Sequence, residues 1–388
     1  MQSKMDSGQC LKQPERQLSD ADFVSALFDK GDYTAVVGAG REDCWQTYAA
    51  LGLIGKTDSA LDGLGRFDND TARFYSAVAM WMDGDEGEAI RTLEKLHFPH
   101  ADKLLALIKK PQINVLGQMD TGGWWDLASV AKADGKFHIE NIGFNAGDKR
   151  NSPYANIHQF YDPSNPPDFF LSKMAEWHLV IPNLRELPCP TFAHTGDYDL
   201  HLHAFYPWLH IFDELIVDKD WDDIHDLVST SASTFPKAYG LPSSLPTLTL
   251  SQREIDVFAS GNINHSYHPD KAAVTYRTLG MEGINSLSIG GFMEMGQYLR
   301  QLGNSKMVVA FTRRPAMPTR GLEALAMGAV AIVQADSAML HYLGENEGVV
   351  AVAGEHELEQ TIRRIMHDWP VYERRARLGA EIVRREFD

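Results

Sequence analysis

Residues 318–335 read PTRGLEALAMGAVAIVQA. Pro318-Thr319 makes a short turn that opens a helix. Leu322, Leu325 and Ala326 stand at i, i+3 and i+4 and form one apolar face. Gly328 ends the helix. Residues 329–333 (AVAIV) are an apolar, β-rich run suited to a buried parallel strand. The unit is turn, short helix, glycine, buried strand. Glu323 is expected in the first helical turn, beside backbone N–H groups that have no intrahelical partner.

The surrounding chain repeats this alternation. Upstream of the segment, residues 255–259 form a strand, Gly261-Asn262-Ile263-Asn264-His265-Ser266 a loop and residues 270–279 a helix. Strands at 284–289 and 307–311 flank a helix at 292–302, and a strand at 349–352 precedes a charged helical tail. Before them, residues 241–250 (LPSSLPTLTL) carry two prolines and several Ser/Thr, the composition of a linker. An earlier half begins at Ile113-Asn114-Val115-Leu116 and the glycine loop holding Trp124 and Trp125. Further strands are expected at 137–144, 177–182, 191–194 and 211–217, with an irregular loop at 151–168. Alternating strands and helices imply mostly parallel sheets, with ligands at the carboxyl ends of strands.

Arg320, Glu323-Ala324-Leu325-Ala326, Met327, Gly328 and Ala329, followed by the strand from Val330, resemble the donor-nucleotide segment of GT-B glycosyltransferases, above all the spore-maturation-protein-like ones. Tyr298-Leu299-Arg300-Gln301-Leu302 and Ser305-Lys306-Met307-Val308-Val309 also fit that family. The resemblance implies two Rossmann-like halves and a nucleotide-sugar donor in the second. It implies that Glu323 accepts hydrogen bonds from the ribose hydroxyls, within a segment that includes Thr319, Arg320 and Gly321. The alternative is an ordinary αβ unit with a solvated Glu323. There is one departure: many retaining members carry a second Glu eight residues earlier, where this chain has Pro315. The retaining signature is incomplete.

Residues 20–110 are helical in pattern, with weak repetition. Gly55-Lys56-Thr57-Asp58-Ser59-Ala60 and Gly84-Asp85-Glu86-Gly87-Glu88-Ala89 occupy equivalent places, and Gly31-Asp32-Tyr33 is a degenerate third copy. This resembles tetratricopeptide repeats at a shorter spacing. The implied use is a protein- or peptide-binding surface that recruits a protein or glycan acceptor; self-association into a homo-oligomer belongs with the alternative. The alternative is a helical cap on the next domain. The expected organisation is therefore an α/β GT-B chain preceded by an all-α helical-repeat domain. It comprises a flexible arm at 1–19, the helical hairpins at 20–110, an acceptor-side domain at 111–245 and a donor-binding domain at 246–388.

The chain of 388 residues has a formal net charge of −17, which argues against an extended nucleic-acid or anionic-membrane footprint. With 44% hydrophobic residues it can bury real cores. Cys10, Cys44 and Cys189 give neither a disulfide framework nor a metal-ligand spacing. A polar N-terminus and the lack of an 18-residue apolar run suggest a cytoplasmic protein without a transmembrane segment.

Glycosyl transfer needs a stabilised diphosphate leaving group, a held nucleoside and, for inversion, a general base. The loop from Gly261 through Asn262 and His265, with the following helix N-terminus, offers an anion site. Lys271 in that helix's first turn and Arg320 add cations that would replace a metal, since the resemblance to GT-B enzymes implies that neither metal nor cofactor is needed. Arg277 reads as a surface charge. For the base, Asp197 is the first choice and His194 the second, at a strand end; helix capping is the alternative role. His201-Leu202-His203 allows a metal reading, but a helix there would make the two rings diverge. The leading function is transfer of a sugar from a nucleotide sugar to a protein or glycan acceptor. The alternatives are an epimerase-like enzyme and a catalytically inactive GT-B scaffold.

Overall fold

The computed structural model describes residues 19–119, 135–142, 156–173, 175, 180–196, 206–218, 231–235, 253–261, 266, 268–291, 293–313 and 317–386. The expectations for residues 1–18, the Trp124–Trp125 pair, Asp197, His201, His203, the linker at 241–250, Asn262, His265 and Pro315 lie outside them.

Seven helices come first: α1 (Asp20–Asp29), α2 (Tyr33–Gly38), α3 (Trp45–Leu53), α4 (Thr57–Leu64), α5 (Asp70–Met82), α6 (Glu86–Leu93) and α7 (Pro99–Ile108). The three repeated glycines close the turns of three helix pairs: Gly31 between α1 and α2, Gly55 between α3 and α4, Gly84 between α5 and α6. The next residue is the N-cap of the second helix. Asp32 accepts from Ala35 N and Asp85 from Glu88 N, whereas Lys56 caps without a side-chain bond. Small residues let the pairs close up: Ala49, Ala50, Ala60, Ala72, Ala79 and Ala89 are buried, and a Cβ on Gly52 would touch the Cβ atoms of Ala60 and Ala79.

The first sheet is parallel, with order β2-β1-β3-β4-β5-β6. Its strands are β1 (Ile113–Gln118), β2 (Phe137–Asn141), β3 (Phe169–Lys173), β4 (Thr191–Thr195), β5 (Glu214–Asp218) and β6 (Ser231–Phe235). Here the structure corrects the sequence reading. The third strand is 169–173, not 177–182; residues 180–182 are not strand, and 177–179 lie outside the described set. The strand expected from residue 211 begins at 214, because Tyr206–Ile211 is a 3₁₀ turn. Strand β6 (SASTF) has no apolar alternation, and its hydropathy does not announce it.

One face of this sheet carries Leu116, Phe170, Ala193, Leu215 and Val217, packed under Ile157, Phe160, Leu184 and Leu209. On the other, Ile113, Val115, Met119, Phe137, Ile139, Phe169 and Leu171 pack against Trp81 of α5 and Leu107 of α7. The helical array therefore supplies the cover of this face. Lys136 fastens the junction: its Nζ donates to the Ile108 and Lys110 carbonyls at 2.6 and 3.0 Å and pairs with Glu86 at 3.0 Å. Beyond, Tyr33 hydrogen-bonds Ser233 of β6, which donates to Glu214 at 2.6 Å.

The second sheet is also parallel, with order β11-β10-β9-β7-β8. The elements run β7 (Ile255–Ser260), α8 (Pro269–Leu279), β8 (Ser286–Ile289), α9 (Met295–Gly303), β9 (Ser305–Val309), α10 (Thr319–Ala326), β10 (Val330–Gln334), β11 (Val349–Val352), α11 (Glu355–His367) and α12 (Trp369–Glu386). Helices of this half cover both faces. Val257, Val309 and Ile332 meet Val274, Ile362 and Ala376. On the other side, Phe258 and Val308 meet Leu299 and Leu302, while Ala331 and Val333 meet Leu322, Leu325 and Val383.

In the decisive segment, α10 ends at Gly328, whose φ of 71° suits a residue without a Cβ. Gly328 N donates to Leu325 O at 2.6 Å and Ala329 N to Ala324 O at 2.8 Å, closing the helix with paired left-handed-cap bonds. Val330, Ala331, Ile332 and Val333 are all buried. Glu323, however, is the fifth residue of α10 and not in its first turn, so the helix-terminal N–H groups do not explain it. The architecture is α/β: two Rossmann-like parallel sheets, with a helical region before them. No described helix is long and apolar enough to cross a membrane.

Candidate functional site

In each sheet the strand order reverses beside the first strand of the half. In the second sheet that reversal lies at β7, between β8 and β9, where an open α/β sheet leaves a crevice at its carboxyl edge. The chain leaves β7 through Ser260 and Gly261, and leaves β9 toward Arg313.

Gly261 is where the missing side chain matters. Its φ is +88°, and a Cβ there would lie 2.6 Å from Arg320 Nη2 and 3.1 Å from Lys271 Nζ. Two cations thus crowd against one glycine. The Gly261 amide itself is not free to bind an anion, since it donates to Ile289 O at 3.0 Å. Among the described residues, the groups beside this glycine are the Lys271 and Arg320 side chains, while loop residues 262–265 lie outside the described set.

Lys271 is only 4% exposed. Burial pushes its pKa down to about 7, with Arg320 and then Arg313 adding like-charge repulsion. It makes no ion pair among the described residues. Arg313 stands with Nη1 at 3.4 Å from His268 Nε2, the residue that precedes α8. The Nε of Arg320 is buried with no hydrogen-bond partner among the described residues, as is the Ser260 hydroxyl. Sequence reasoning does not pick out Arg313; its place just beyond the carboxyl end of β9 is the signal that could have found it. Arg277 instead pairs with Glu359 at 2.5 Å on the surface.

Glu323 is 6% exposed and accepts from the Tyr298 hydroxyl at 2.5 Å. Burial raises its pKa, while the Tyr298 bond and Arg320 pull it back. Thr319 opens α10 next to Arg320. Gly321 serves packing: a Cβ there would meet Met339 Sδ at 2.9 Å and Pro318 Cγ at 3.1 Å. The structure thus brings Gly261, Lys271, Arg313, Arg320, Tyr298 and Glu323 together from α8, α9, α10 and two strand ends.

In the first sheet the carboxyl ends of β1, β3 and β4 carry buried polar groups. His194 and Lys173, each 4% exposed, are partners in register. Ser172 donates to Gln118 at 3.2 Å. Because alternate strand residues share a face, Lys173 follows Phe169 and Leu171 on the array-covered side. Among the described residues no cluster of His, Cys, Asp and Glu could hold a metal ion.

No protein-family model and no curated protein sequence matches the chain. In structure it is similar to sucrose-phosphate synthase from Thermosynechococcus elongatus, at 12% identity and a TM-score of 0.49 over 71% of this chain and 95% of that one. It is similar to a mutant of the Thermobaculum terrenum O-GlcNAc transferase, at 14% identity and a TM-score of 0.46 over 94% of each chain. It is also similar to HepE of Anabaena in complex with UDP and glucose, at 10% identity and a TM-score of 0.48 over 71% of this chain and 96% of that one.

Proposed function

We propose that the chain is a glycosyltransferase that takes a sugar from a nucleotide sugar bound at the carboxyl edge of the second sheet. One observation carries the reading. Lys271, Arg313 and Arg320 converge at the strand-order reversal of a chain whose net charge is −17, and Lys271 has no counter-charge among the described residues. A buried cation beside two others is costly, and such arrangements persist where an anion completes them. A diphosphate supplies that anion, and the ribose hydroxyls then fall to Glu323. The same cations stabilise the diphosphate as it leaves, so the transfer needs no metal. On the acceptor side, Asp197 or His194 takes the acceptor proton, and the acceptor is a protein or glycan.

Thermal denaturation with UDP-, GDP-, CMP- and dTDP-sugars tests this. A ligand at 100 times its dissociation constant adds about 2.7 kcal/mol. One class should stabilise the protein and be hydrolysed slowly, with no response to EDTA. Lys271→Met should cut that stabilisation to about 0.3–1.3 kcal/mol at the same ligand concentration. Binding without turnover would mark an inactive scaffold, and absence of binding by every class would end the proposal.

A further inference from the structure

Tyr298 of α9 donates its hydroxyl to Glu323 Oε2, and the Arg320 guanidinium lies beside the same hydroxyl. One residue therefore touches both the proposed ribose acceptor and a proposed phosphate cation. Its ring packs on Phe258 of β7, with centroids 6.3 Å apart, in a cluster with Leu299, Leu302, Val308 and Ala324. The ring is thus anchored in the core while its oxygen reaches the site. Tyr298 occupies Oε2 of Glu323, and Oε1 has no hydrogen-bond donor among the described residues.

We infer that Tyr298 is a positioning residue of the donor site: it fixes Glu323 with one carboxylate oxygen turned to the ribose and ties that carboxylate to Arg320, so that ribose and diphosphate recognition are acquired together. This rests on the reading of the site as a nucleotide site. The electrostatics agree. Burial and the Glu323 carboxylate push the Tyr298 pKa up, so its proton stays available for donation. The groups facing Glu323 are the neutral Tyr298 hydroxyl from α9 and the Arg320 guanidinium from its own helix. Arg320 and Arg313 face Lys271, and Arg384 of α12 donates to Ala326 O at the far end of α10.

The test uses the full chain and calorimetry. UDP, GDP, CDP and ADP are titrated, the tightest becomes the probe, and its 2′,3′-dideoxy counterpart is the comparator. Tyr298→Phe keeps the ring and removes the donor. Its affinity for the probe should fall about tenfold or more, as for a lost bond to a charged group. Preference for the ribonucleotide over the dideoxy form should shrink by a similar factor. The midpoint below which affinity falls with acid should move up, because Glu323 loses a donor to its charged form. If Tyr298→Phe does not fold, Tyr298→Met fills the volume without a donor and is read the same way. A lower melting temperature with an unchanged ribose preference would make Tyr298 merely structural and overturn the inference. If Glu323→Ala loses the preference while Tyr298→Phe keeps it, positioning is likewise overturned. If both variants bind both nucleotides like the wild type, the nucleotide reading of the site itself fails.

Discussion

The two sheets are built alike and covered differently. The second is covered on both faces by helices of its own half. The first gives one face to α5 and α7, helices that precede it in the chain. A parallel sheet needs both faces buried, so the array completes the core of the first half. That differs from a docking module attached by a linker. The site follows the same division. In the second half, charges from two helices and the loop after β9 are pressed together at one edge, whereas in the first the buried His194 and Lys173 sit on strands beneath the array.

Deleting residues before 111 is the strongest way to break this comparison. It would expose Ile113, Val115, Met119, Phe169 and Leu171. At about 1.5–3 kcal/mol each, the loss matches the whole stability of a domain, about 5–15 kcal/mol. The truncated chain should be insoluble or molten by near-ultraviolet circular dichroism and dye binding. A soluble, cooperatively melting product that still binds nucleotide would show the array to be separable. Trp81→Ala removes a ring shared by the array and the sheet. It should cost about 3 kcal/mol in urea unfolding, with nucleotide affinity of the folded protein unchanged.

In the second half the expected sign is opposite. Lys271→Met removes a buried, repelled cation, so stability should rise by about 0.5–2 kcal/mol while nucleotide affinity falls by about 1.5–3 kcal/mol. The pH dependence has a definite sign. With a folded pKa of about 7 and an unfolded value near 10.4, the unfolded chain holds the extra proton between them. Stability therefore rises with pH across that window, and the penalty is complete below about pH 7. The gap between Lys271→Met and wild type in melting temperature should narrow from pH 7 to 10; a constant gap would refute the assignment.

The smallest effect joins the two regions. Lys56 Nζ of the array lies 4.6 Å from the ring centroid of Tyr342, which follows β10. Lys56→Ala should cost about 0.5–1 kcal/mol, measured by urea unfolding of the full chain. No change would mean the array is joined to the first half alone.

Local order is legible in the chain alone. The apolar face of α10, Gly328 as its stop and the buried run of β10 all follow from backbone preferences within a few residues. So do the paired helices at Gly31, Gly55 and Gly84, and the alternation that implies two parallel sheets. The misses are also local in cause. Strand β3 follows a Pro-Pro-Asp turn, and β6 is a Ser/Thr-rich edge strand whose pairing with β5 is not written in its hydropathy. Convergence, by contrast, comes only with packing. Gly261, Lys271, Tyr298, Arg313 and Arg320 belong to separate elements, and the strand order brings them to one edge. Glu323 is held by a tyrosine from another helix, with no role for its own helix terminus. Which helices cover the first sheet is likewise open until the chain is packed, because burial of a face is a demand that any apolar surface can meet, and only the assembled fold shows which one does.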